Sequence, residues 1–136
     1  MKLKWIGHAA FLMVAEDGTR IIADPYNAEV GYLVPLGEAD YVTVSHEHFD
    51  HNSVANVTGS PHVVKGPGQH ALGPVKATGV ATKHDDSGGS KRGPNTVFCY
   101  RFPGQDGELR VCHLGDLGHQ LSPEQLAEVG EVDILL

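Results

Sequence analysis

The chain has 136 residues, enough for one domain, and its 40% apolar and 20% charged content is the ordinary balance of a protein with a packed core. A formal charge of −7 argues against a general nucleic-acid or membrane-surface binder, and no apolar run approaches the roughly 20 residues of a membrane span. The N-terminus, Met1-Lys2-Leu3-Lys4-Trp5, lacks the long apolar stretch of a signal peptide, and two cysteines make no disulfide framework, so a cytoplasmic location is expected.

In chain order, Lys2–Ile6 reads as a first strand. Phe11–Ala15 and Thr19–Ala23 flank Glu16-Asp17-Gly18, a hairpin signal, and Asp24-Pro25 closes the second of these strands. Asn27 to Gly37 is irregular, with Tyr32, Leu33 and Val34 expected to cover an edge or line a pocket mouth. Tyr41–Ser45 is β-branched and apolar, the pattern of a buried strand. Asn52-Ser53 is expected to cap a short helix over Val54–Val57. His62–Lys65 is a further strand, Gly66-Pro67-Gly68 a turn, and Gln69–Leu72 reads as one helical turn.

Val75 to Lys83 reads as strand and Asp85 to Asn95 as loop. Thr96–Phe102 and Leu109–Leu114 form a second hairpin around Pro103-Gly104-Gln105-Asp106-Gly107, in whose simplest register Cys99 lies opposite Cys112. Free buried thiols are expected there over a cross-strand disulfide. Ser122, Pro123 and Gln125 have the residue types of a capping box with proline at the first helical position, and Gly130 is a natural stop. Val132 to Leu136 reads as another buried strand.

Chemistry is concentrated in His46-Glu47-His48-Phe49-Asp50-His51, directly after the buried strand. In an extended segment alternate side chains share a face, so His46 and His48 are able to grip one ion, while Asp50 and His51 hold a second as the chain turns. Imidazole and carboxylate suit zinc, and also manganese or iron. Asp116, between two glycines' reach in Gly115-Asp116-Leu117-Gly118, is the best bridge between two ions. His84, at a strand end, and His113, three residues before Asp116, compete as the third histidine of the first ion; His84 is preferred because sharing a site with Asp116 requires a bend after His113.

The His-x-His-x-Asp-His pattern resembles the signature of the metallo-β-lactamase superfamily. The segments Trp5-Ile6-Gly7-His8-Ala9-Ala10-Phe11, Asp24-Pro25, Lys91-Arg92-Gly93-Pro94-Asn95 and His113-Leu114-Gly115-Asp116-Leu117-Gly118-His119 look like one branch of it, the ascorbate-6-phosphate lactonase-like metal-dependent hydrolases. The resemblance implies an α/β fold, half of a four-layer αββα arrangement with a mixed, largely antiparallel sheet and flanking helices. It implies a dinuclear zinc hydrolase that activates water against a lactone or phosphoester. His46, His48 and His84 would hold the first ion, Asp50 and His51 the second, and Asp116 would stand between them. Asp50 and Asp116 would be catalytic. His8, Asp24, His113 and His119 would line the pocket or support the ligands, and Lys91 and Arg92 would bind a small anionic substrate, unless they are a solvated basic pair.

In the family a further histidine from a C-terminal half completes the second ion's ligands. At this length residues 1–136 are expected to be the N-terminal half of the fold, and a metal-binding half-domain without turnover is the competing expectation. Such a half would leave apolar sheet surface uncovered, so pairing of two copies in an isologous homodimer is expected.

Overall fold

The computed structural model describes residues 1–105 and 107–136; Asp106, which the sequence reading assigns to the loop of the second hairpin, lies outside the described residues. The strands are β1 (Lys2–Gly7), β2 (Ala10–Val14), β3 (Arg20–Ala23), β4 (Gly37–Glu38), β5 (Tyr41–Val44), β6 (Val57–Thr58), β7 (His62–Lys65), β8 (Gly68–Leu72), β9 (Val75–Lys83), β10 (Pro94–Gly104), β11 (Gly107–His113) and β12 (Ile134–Leu135), with one α-helix, α1 (Pro123–Val129). They form two five-stranded sheets, ordered β1-β2-β3-β5-β7 and β12-β11-β10-β9-β8, and a two-stranded β4-β6 ribbon. The first sheet begins antiparallel and becomes parallel from β3 through β5 to β7. The second is antiparallel except where β12 runs parallel to β11.

Strand alternation explains how the sheets stack. Ile21 and Ala23 point between the sheets with Met13 and Val64, against Phe98, Tyr100 and Phe102 of β10. Ile22 and Val42 point the other way, under a cover that includes Tyr26, Leu36 and Val57. Val97 and Cys99 alternate out of the sandwich and meet α1 through Val129. The central strands β3, β5 and β10 are therefore buried on both faces, which for each fully buried Ile or Phe contributes about 1.5–3 kcal/mol. The sheets are also joined by a buried hydrogen bond between the Thr43 and Tyr100 hydroxyls at 2.6 Å.

The helix α1 has the expected capping box: Ser122 Oγ accepts from Gln125 N–H at 3.2 Å and Gln125 Oε1 accepts from Ser122 N–H at 2.9 Å. The mixed sheets and strand-rich architecture agree with the expected fold, but the layer outside the first sheet is coil, the β4-β6 ribbon and two single 3-10 turns, Ala28–Val30 and Val54–Asn56. Ser53 caps nothing; its hydroxyl donates to the Phe49 carbonyl at 2.7 Å. Gln69–Leu72 belongs to a strand, because the open edge of β9 supplies backbone partners that a lone helical turn lacks. The terminal segment is an edge strand and not a buried one, with Leu135 63% exposed. Cys99 does face Cys112, and both are free thiols with Sγ atoms 3.6 Å apart. Among the described residues no helix is long and apolar enough to cross a membrane.

Candidate metal centre

The site forms where β5, β9 and β11 end, at one end of the sandwich. Parallel pairing of β3 with β5 sets Ala23 beside Thr43, which brings Asp24 next to Ser45. Asp24 is 1% exposed and takes a positive φ of 45°. Its carboxylate accepts Ser45 N–H at 2.7 Å, the Ser45 hydroxyl at 2.5 Å and His51 Nδ1–H at 2.7 Å. Past the end of β5 the chain bends at residues 45–47 and turns over 49–51, where the His48 carbonyl accepts from His51 N–H at 2.9 Å and Asn52 N–H at 3.0 Å. The His46 and His48 rings lie 4.5 Å apart, as sharing one face requires, and the turn after His48 carries Asp50 and His51 round beside them.

These contacts set the tautomers. The Ser45 hydroxyl gives its proton to Asp24, so at 2.9 Å it accepts from His46 Nδ1–H. His51 likewise spends Nδ1–H on Asp24. Both imidazoles then aim Nε2 lone pairs into the site, and both Nε2 atoms are buried without a hydrogen-bond partner among the described residues. Buried polar atoms seldom go unpaired, and two such atoms facing one space fit a cation.

His84 directly follows β9, and one of its ring nitrogens lies with one each from His46 and His48 in a group whose donor atoms are all within 4.8 Å of one another. The loop after β11 closes the site. At Gly115, φ is +58° and a Cβ would come within 2.6 Å of Asn95 Oδ1 and Ser45 Cβ; at Gly118 a Cβ would collide with the backbone of His84 and Asp85. The loop packs this tightly only because both are glycine. Asp116 N–H donates to Asn95 Oδ1 at 3.0 Å, while Asn95 Nδ2 donates to Thr82 and to the Leu114 carbonyl. Asp116 is thereby placed with Oδ2 2.9 Å from His84 Nε2 and 3.7 Å from His46 Nε2, and with Oδ1 3.3 Å from His51 Nε2. One oxygen faces each side, as in a carboxylate between two ions.

Electrostatics agree with the donor chemistry. Burial, reinforced by His51, pushes His46 down to about 4, so it is neutral near pH 7. Burial opposes charging of His51 as well, but the carboxylates of Asp116 and Asp24 outweigh it and raise His51 to about 10. Asp116 is held well below the usual carboxylate range, chiefly by His51. A proton on His51 occupies the place that a divalent cation takes more fully. The donor set of imidazoles and carboxylates suits zinc, manganese or iron.

The other expected residues fall in different places. Asp50 Oδ2 lies 3.0 Å from His8 Nε2 and 3.7 Å from His51 Nε2, and these three side chains form a second donor group. His113 stays outside both groups; its Nε2 meets the Ala9 carbonyl at 2.8 Å. His119 is a loop fastener, accepting Lys83 N–H on Nε2 at 3.1 Å and using Nδ1–H on the Gln120 carbonyl. Arg92 lines a cleft of roughly 340 Å³ beside His46 and His48, together with Lys65, and also a recess beside His84 and Asp116. Lys91 lines neither. Their loop is organised by Asp85, whose carboxylate is lowered to about 2 by backbone N–H groups, first that of Arg92. Sequence reasoning gave no role to Ser45 or Asn95; a buried polar residue at a strand end was the available signal, and only burial reveals it.

Comparison with known proteins agrees with this geometry. The family profile described as "Beta-lactamase superfamily domain" matches residues 2–136. A UPF0173 protein of Pyrococcus furiosus is 32% identical, with 100% of this chain and 69% of that protein covered. A UPF0173 metal-dependent hydrolase of Desulforamulus reducens is 27% identical over 100% of this chain and 71% of its own length. A solved Thermotoga maritima structure, assigned to the zinc-dependent hydrolases of the superfamily, superposes with a TM-score of 0.75 at 38% identity, covering 98% of this chain and 58% of that one. This chain thus spans less than two thirds of that relative. With the fold, the histidine cluster and these likenesses in agreement, the chain belongs to the metallo-β-lactamase superfamily, among the relatives of the UPF0173 metal-dependent hydrolases.

Proposed function

We propose that this chain carries the metal centre of a hydrolase acting on a small anionic lactone or phosphoester. His46, His48 and His84 would hold one divalent ion, Asp50 and His51 a second, and Asp116 would lie between them. Bound there, the ions would activate water as the nucleophile and offset negative charge developing on the substrate. The chain's own groups do the positioning. Asp24 and Ser45 keep Nδ1–H on His51 and His46, which leaves Nε2 free to ligate. Arg92, on the wall shared by the cleft and the recess, offers a guanidinium to a substrate carboxylate or phosphate. Zinc is the first choice of ion, with manganese and iron as the other members of the same chemistry.

The observation that carries this reading is the convergence of Asp116 with the His46, His84 and His51 Nε2 atoms, two of them buried and unpartnered. The test loads metal-stripped protein with each ion and assays a generic phosphodiester and a simple lactone. Hydrolysis that needs the ion and is lost in His84→Ala and Asp116→Asn is the expected result. Ion binding with no turnover of either substrate identifies the competing reading, a metal-binding module.

A further inference from the structure

The face of the second sheet that points out of the sandwich holds two nucleophiles that the metal centre does not use. Cys99 of β10 and Cys112 of β11 are direct cross-strand partners, both free thiols, with Sγ atoms 3.6 Å apart. Opposed residues of antiparallel strands have Cα atoms about 4.5–5.5 Å apart, inside the span of about 4.4–6.8 Å that a disulfide bridges. Strand register therefore already meets the backbone demand. Only the sulfurs have to move, from 3.6 Å to about 2.05 Å, by side-chain rotation.

The two sulfurs differ in their surroundings. Cys112 is 1% exposed and Cys99 8%, both in the apolar cluster with Val80, Val97 and Val129. Cys99 also borders a cavity of roughly 10 Å³ whose other walls include Arg101, Arg110 and Glu131, and Cys112 does not. That is about the space of one water molecule, so a reagent little larger than water fits where a bulky one does not. Arg101 and Arg110 are themselves a cross-strand pair two positions along, on the same face as the thiols. The hydrogen bond with Cys112, and then Arg101, lower the Cys99 thiol against the opposing effect of burial. The same hydrogen bond and burial push Cys112 well up. A thiol lowered beside a guanidinium is the better nucleophile of such a pair.

We propose that Cys99 and Cys112 form a peroxide-reactive site, with Cys99 the attacking sulfur, Cys112 the resolving one, and a disulfide between β10 and β11 the product. In the first step the Cys99 thiolate attacks one oxygen of hydrogen peroxide. The O–O bond breaks, the leaving hydroxide takes up a proton to become water, and Cys99 becomes a sulfenic acid. In the second step the Cys112 sulfur attacks the Cys99 sulfur. The S–S bond forms, the S–O bond breaks, and the Cys112 proton leaves with the hydroxyl as water. Two thiols are oxidised by two electrons in all, and one peroxide is reduced to two waters.

The test exposes native wild type, metal-stripped and in chelator, to hydrogen peroxide. The protein is then unfolded, its free thiols are alkylated, and the peptides that hold Cys99 and Cys112 are weighed. The expected product is one linked pair of peptides from a single chain, about 2 Da lighter than the two thiols, with neither cysteine alkylated. Relative to the unfolded chain, the native fold is expected to slow a maleimide at least about tenfold more than it slows peroxide, because only the smaller reagent fits the cavity. Cys112→Ser is expected to keep the oxygen on Cys99 as sulfenic acid, trapped by a cyclic 1,3-diketone on unfolding, and Cys99→Ser to leave Cys112 reduced. Thermal unfolding checks that both variants fold; the wild-type measurements decide the matter without them. Two alkylated cysteines in treated wild type, links only between chains, or equal slowing of the two reagents overturns the proposal. Oxidised Cys112 in Cys99→Ser overturns the choice of attacking sulfur.

Discussion

Asp24 is the residue whose removal tests the architecture of the site most directly. Its carboxylate, 1% exposed, is the acceptor for three buried donors: Ser45 N–H, Ser45 O–H and His51 Nδ1–H. Leaving a buried donor unpaired costs about 1–3 kcal/mol. Three of them sum to about 3–9 kcal/mol, and removal of a buried charge returns part of its desolvation, so Asp24→Ala is expected to cost about 3–6 kcal/mol. Against a total stability of about 5–15 kcal/mol, that is a large share. Asp24→Asn keeps a single acceptor oxygen, which serves the Ser45 N–H or the Oδ2 donors but not both, so about 1–3 kcal/mol is expected. The assay is denaturant unfolding of metal-stripped protein in chelator, which removes ligation from the comparison. A corresponding fall in Tm of about 10–20 °C is expected for the alanine variant. If Asp24→Ala unfolds within about 1 kcal/mol of wild type, or Asp24→Asn proves the worse of the two, the three-donor account is wrong.

Further outcomes follow from other parts of the molecule. Arg92→Ala is expected to raise KM for an anionic substrate by about 10–100-fold with kcat little changed, the loss of a charge-assisted contact to bound substrate; a neutral lactone is the control. Asp133 is lowered from an ordinary 3.8 to about 2, first by the Arg110 side chain and then by its backbone N–H. A depressed carboxylate stabilises the fold fully above its unfolded value and loses that contribution as pH falls through about 2, so docking of β12 on β11 is expected to weaken only in strong acid; a carboxyl carbon titrating near 3.8 by NMR would contradict this. Cys99 and Cys112 are buried, so a thiol reagent is expected to find both only after unfolding, and rapid reaction of either in native buffer would rule out that burial. The exposed edge of β12, with Leu135 at 63% and Leu126 at 55% exposure nearby in sequence, is where two copies are expected to pair; sedimentation showing only monomer at tens of micromolar, about the usual working range, would count against it.

Local chemistry made much of the chain readable. Apolar and β-branched runs bounded by turn signals marked β2, β3, β5, β9, β10 and β11, the Glu16-Asp17-Gly18 turn joined a hairpin, and the Ser122 box and Gly130 bounded α1, because each depends on neighbours a few residues apart. The His46 to His51 motif was equally visible as a donor-rich segment. Local pattern misread β8, whose strand state comes from the edge of β9, and the terminal strand, whose exposure comes from its place at the rim. The choice between His84 and His113, the hub role of Asp24 and the approach of His8 to Asp50 were beyond it. His84 follows one strand and His113 ends another of the same sheet, and only the packing of the Gly115 to Gly118 loop against β9 turns one toward Asp116 while the other faces the Ala9 carbonyl. Residue types and their spacing determined that this chain carries a cluster of imidazole and carboxylate donors; parallel pairing of β3 with β5 and the stacking of two sheets decided which of them meet, because groups 21 to 104 positions apart converge through backbone register and not through any period a sequence can carry.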